Sequence, residues 1–181
     1  MKQKNSLTEG KIFTPILLFF IPVMLGNVFQ QFYSLVDSII VGQYLGRLAF
    51  SGVGATSSLS FLVIGFSTGL TSGFAIKTSQ FYGAKDEEQM KRSVATSYIL
   101  CIIIGILLTL VAVLCTTPLL KMMQTSDSLF PYAHDYLITI FLGLGATIFY
   151  NMISFLLRAI GDSRSPLYFL LISSIINIIL D

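Results

Sequence analysis

The sequence predicts an all-α integral membrane protein, a polytopic bundle of transmembrane helices, and three observations carry that prediction. Of its 181 residues, 54% are hydrophobic and 11% charged, against roughly 25% charged in an ordinary soluble domain. Mean hydropathy is +0.81. Uncharged runs cover 52–76, 93–120 and 136–157, each longer than the roughly 20 residues a helix needs to cross about 30 Å of hydrocarbon. The remaining charges are sorted by side. Lys2, Lys4 and Lys11 precede the first apolar segment, Lys85, Lys91 and Arg92 follow the second, and Arg158 and Arg164 follow the fourth, whereas the opposite turns hold only Arg47 and Lys121. Basic residues favour the cytoplasmic side, so the N-terminus is expected there, in a multi-pass protein of the cell membrane.

Five helices are expected, at 12–41, 52–82, 87–117, 131–158 and 165–181, within one domain spanning 1–181. The first contains Pro15 and Pro22 and runs into Asp37. Its lysines and apolar start resemble a secretory signal, but no small-residue cleavage site follows and the segment continues as a long helix, so it is expected to be retained. The second carries Gly65, Gly69 and Gly73 at four-residue spacing, which predicts a helix-packing stripe where backbones approach closely. Asp86 is expected to cap the third helix, with Glu87 and Glu88 at the positive end of its dipole. Gly83 and Gly161 are expected to close the helices before them, and Ser165 and Pro166 to open the last. At about 1.5 Å per residue, 165–180 extends roughly 24 Å, which leaves Asp181 and the terminal carboxylate at membrane depth. A charge there costs at least about 2.5–3.5 kcal/mol. The chain is therefore expected to be incomplete, ending within helix five.

Polar residues inside such segments are the candidates for chemistry. Gly26, Gln30, Tyr33 and Asp37 are spaced four, three and four apart, on one face of the first helix. Ser174, Asn177 and Asp181 are three and four apart on the last. Both helices ascend from the same side, so the two carboxylates are expected to reach the outer half of the bilayer and face a common cavity. The bland alternative is Asp37 as a helix-end residue bonded to nearby backbone, with Gly42, Gly46 and Arg47 close behind it. Oxygen donors of this kind suit a hard cation such as Na⁺. Competition among H⁺, Na⁺ and a cationic solute for such a site is the minimum apparatus for antiport.

Other features carry less. His134, the single histidine, reads as an interfacial side chain, Tyr150 and Asn151 as lesser cavity candidates, and Cys101 and Cys115 as packing thiols spaced for neither metal nor redox work. No hydrolase, zinc-protease or phosphate-loop motif occurs, so an enzyme is not expected. A net charge of +2 gives no reason to expect a nucleic-acid partner.

Five segments in order, "LVDSIIVGQYLG", "GLTSGFAIKTSQFYGAKDEEQMKR", "AHDYL", "LLRAIGDSRSP" and "NIILD", resemble the multidrug and toxic compound extrusion (MATE) transporters. The resemblance covers essentially the whole chain. It implies most of one six-helix lobe of a twelve-helix exporter that expels organic cations and other amphiphilic compounds in exchange for Na⁺ or H⁺, with no other cofactor. It places Asp37 at the family's first-helix coupling carboxylate, and Asn177 and Asp181 at a pair that joins it in one branch. Possible Na⁺ ligands are then Asp37, Asn177 and Asp181, with Gln30, Tyr33 and Ser174 lining the cavity. Helix six and the second lobe are absent, so the 181 residues are expected not to transport alone, the missing helices or lobe being a partner alongside the lipid bilayer and small organic cations. Two other readings stand beside this one: a flippase for lipid-linked saccharides of the same superfamily, which would want cationic cavity residues, and a nontransporting helical membrane subunit for which Asp37 is dispensable.

Overall fold

A computed structural model describes residues 13–180, the last three of them by backbone alone. All regular structure among the described residues is helical: α1 Phe13–Ile40, a π turn Val41–Leu45, α2 Gly46–Gly83, α3 Glu87–Met122, α4 Phe130–Leu142, α5 Leu144–Ala159 and α6 Arg164–Leu180. The outer faces are apolar, with Ile106 67% and Leu114 68% exposed, as suits helices whose solvent is lipid.

The core forms where α4 and α5 insert between α2 and α3. Bulky Leu137, Phe141, Leu144, Ile148 and Met152 come from α4 and α5, while the buried faces of α2 and α3 are built almost wholly from small residues, including Gly52, Thr56, Ser67, Thr71, Cys101 and Gly105. The buried hydroxyls return to their own helix. Thr71 Oγ1 donates to the Ser67 carbonyl at 2.9 Å and Thr116 Oγ1 to that of Ala112 at 2.8 Å, so the partner helix meets a methyl group rather than an unsatisfied donor. Between helices, Thr78 and Ser93 hydroxyls lie 3.0 Å apart and Asn151 Nδ2 donates to Thr68 Oγ1 at 3.4 Å. Asn151 thereby has a structural role, tying α5 to α2.

The local chemistry of the ends is visible. Asp86 accepts from the Gln89 N–H at 3.0 Å, and Gly161 takes φ +89° after α5. Three expectations need correction. Gly83 ends α2 in ordinary helical geometry, and Lys85 supplies the left-handed residue instead, at φ 58°. The opening of α6 is capped by Asp162, whose Oδ1 accepts from the N–H groups of Arg164 and Ser165, both at 3.0 Å, while Ser165 Oγ donates to its Oδ2 at 2.6 Å; Ser165 is held by the cap rather than being it. The third concerns Gly65, Gly69 and Gly73. A Cβ added at any of them meets nothing within 4 Å. Each glycine sits two residues, about 200° around the helix, from Ser67, Thr71 or Ala75 on the buried face, so the stripe points away from the bundle and is not a packing face within the described residues.

Two breaks also differ from the expected boundaries. The stretch 42–51, expected to separate two helices, is itself helical: the chain passes through the π turn and turns at Gly46, at φ 84°. Three stretches are long and apolar enough to cross a membrane by length and composition: Phe13–Gly83, which the turn at Gly46 divides into α1 and α2, Glu87–Met122, and the bent pair Phe130–Leu142 and Leu144–Ala159. That pair, expected as one helix over 131–158, bends by 45° at Gly143. Of the other ends, α3 runs on to Met122, past the expected 117.

Candidate functional site

The first polar stripe begins at Gly26, the one buried residue of α1. A Cβ there would lie 3.5 Å from Leu170 and 3.7 Å from Leu167, so the bare glycine lets α1 rest closely on α6. Direction follows from the rest of the bundle. Asp37 lies within electrostatic reach of Tyr136 near the start of α4, and α4 and α5 then run to the opposite end, where α6 begins. Hence α1 and α6 run parallel, and seven residues from the contact advance both by about 10 Å. Tyr33 comes level with Asn177, and Gln30 with Ser174. Asp37 follows one turn beyond Tyr33.

Burial along these stripes is uneven. Tyr33, Asp37, Ser174 and Asn177 are half-buried, whereas Gln30 is exposed. Asn177 Oδ1 is fully buried and accepts no hydrogen bond from the described residues. Such an acceptor is costly at membrane depth unless something positive meets it. Of the expected set, Asp181 lies outside the described residues, and the described members are the Asp37 stripe on α1 and Asn177 on α6, the helix packed against it. The described residues contain no cluster of three His, Cys, Asp or Glu side chains suited to a metal, and oxygen donors of mixed type are what α1 and α6 offer. Tyr136 is an addition that sequence spacing did not reveal, because it stands on a different helix 99 residues after Asp37. His134 stacks on Phe130 with ring centroids 6.0 Å apart, and its Nδ1 lies 3.3 Å from Asp135 Oδ1; it takes no part in the stripes.

Comparison with known proteins bears on the family and the fold. The family model MatE matches residues 22–181. The probable multidrug resistance proteins YoeA and YpnP of Bacillus subtilis are 33% and 31% identical, over 98% and 96% of this chain. Among solved structures, that of MATE in complex with MaD5 superposes with a TM-score of 0.90 at 26% identity, over 100% of this chain and 41% of that one. The chain spans 38% and 39% of the lengths of YoeA and YpnP. A small-residue helical bundle, an apolar exterior and a family match over nearly the whole length lead to one conclusion: this chain belongs to the MatE family of multidrug and toxic compound extrusion transporters.

Proposed function

We propose that this chain supplies the cation-coupling part of a multidrug exporter, in which Asp37, Asn177 and Asp181 receive Na⁺ or H⁺ in alternation with an organic cation, while Tyr33 and Ser174 border the same cavity. The buried Oδ1 of Asn177, level with the Asp37 stripe and met by no donor among the described residues, is the observation that carries the reading. A fixed carboxylate and a preorganised carbonyl oxygen attract a hard cation and have no means of holding an anion. Loading the oxygens with Na⁺ or a proton removes the counter-charge for the organic cation. That exclusion is what converts an ion gradient into export.

Transport also needs two halves that move against each other around the site, and the relatives are more than twice as long as this chain. The 181 residues by themselves are proposed to bind without transporting, in the cell membrane, with the N-terminus cytoplasmic. The test is export of a fluorescent organic cation by a protein of the relatives' length carrying this segment. Asp37→Asn and Asn177→Leu are expected to abolish export at unchanged membrane levels. Export by Asp37→Asn at the unmodified rate would refute the assignment and favour a nontransporting role.

A further inference from the structure

Where α1 passes into α2, the π turn and Gly46 leave a surface groove of about 430 Å³, within the size range of small-ligand sites. α1 lines it with Leu35, Ser38 and Ile39, the π turn with Gly42 and Gln43, and the start of α2 with Arg47 and Phe50. Polarity changes along the groove. Leu35 and Ile39, 57% and 49% exposed, lie in the last two turns of α1 on the membrane side of the turn, and Gln43 and Arg47 lie at the turn itself. Gly42 leaves the floor bare: a Cβ there would already stand 3.5 Å from Phe50. No carboxylate of the described residues pairs with Arg47; Glu87 and Glu88 pair instead with Lys91 and Arg92.

We infer that this groove holds one anionic phospholipid, its phosphate on the Arg47 guanidinium and Gln43 amide, and an acyl chain along Leu35, Ile39 and Phe50. The order of the lining matches the lipid's own order, from hydrocarbon to phosphodiester. Arg supplies the forked donors that phosphate oxygens accept. Leu35 and Ile39 stand two residues, about 200° around the helix, from Asp37, and no residue of α6 lines the groove, so this site is separate from the Asp37 stripe and its occupancy does not depend on ion coupling.

Native mass spectrometry of the protein in dodecyl maltoside micelles, titrated with phosphatidylglycerol, tests the assignment. One lipid is expected to be retained per chain. Arg47→Gln is expected to weaken retention about fivefold, the effect of one basic residue at an anionic surface, while Arg47→Lys keeps most of it and Phe50→Ala loosens the acyl chain. Diacylglycerol, which lacks the phosphate, should bind no better to the unmodified protein than to Arg47→Gln. Equal retention of phosphatidylglycerol by Arg47→Gln overturns the proposal. So does complete displacement by inorganic phosphate, which would make the site one for free anions, or a lipid-free dimer dissociated by Phe50→Ala, which would make the groove an interface between copies.

Discussion

Asn177 and Asp162 show how differently two polar side chains are accommodated in one bundle. Both carboxylate oxygens of Asp162 are engaged at the mouth of α6. Desolvation works against its charge, but the hydrogen bonds from Ser165 and Arg164, with the Arg164 charge, outweigh it and hold the group below the usual carboxylate range. A lowered folded-state value means that the stabilisation is complete above the unfolded value near about pH 4 and disappears as pH falls through the folded one. Asp162→Ala is expected to cost about 1 kcal/mol, as loss of a helix cap does, and to flatten the acid limb of the unfolding profile measured by denaturant titration in micelles. An acid limb identical to that of the unmodified protein would contradict the capping account. Asn177 has the opposite problem, a buried acceptor that no donor among the described residues meets. Asn177→Leu removes it and is expected to leave stability unchanged or raised, because a buried unsatisfied acceptor is itself a cost, while cation binding is lost. A stability loss without a binding loss would show that Asn177 is structural.

At the scale of helices, close approach is localised rather than spread along glycine repeats. A Cβ on Gly52 would come 2.9 Å from Tyr132 Cβ and 3.2 Å from the Ala133 backbone nitrogen, and neither can yield easily. Gly52→Ala should therefore force α2 away from α4 and destabilise by about 1–3 kcal/mol, whereas Gly69→Ala, with open space around it, should be neutral or gain about 0.5–1 kcal/mol from helix propensity. Unfolding of the two variants in parallel checks this, and equal losses would sink it. The contrast also shows what sequence reading reaches. Asp86 and Gly161 act through bonds within a few residues, and their roles were legible from spacing. The Gly65, Gly69 and Gly73 stripe announced small residues on one face but not whether a partner meets that face; the packing was done instead by Thr56, Thr71 and Thr116, whose hydroxyls are absorbed by their own helices. Gly143 and the π turn were hidden for a related reason, since an isolated glycine in an apolar run bends a helix only when its neighbours require it.

For the whole molecule, hydropathy and charge sorting made the helical membrane class legible, and the spacing of the two polar stripes alone marked α1 and α6 as the helices of a candidate site. The parallel course of α1 and α6 was already implied by the charge sorting, but the close approach at Gly26 that sets their register, and Tyr136 within electrostatic reach of Asp37, came only from the fold. The central claim is that mobile cations take turns at these oxygens. Its most direct test is proton release from the bilayer-embedded chain, followed with a pH indicator in weakly buffered solution as Na⁺ or tetraphenylphosphonium is added. The account predicts that at least one of the two cations expels protons in a saturable manner, and that Asp37→Asn abolishes the release. Release of the same size from Asp37→Asn, or none from the unmodified chain with either cation at any pH, would contradict it.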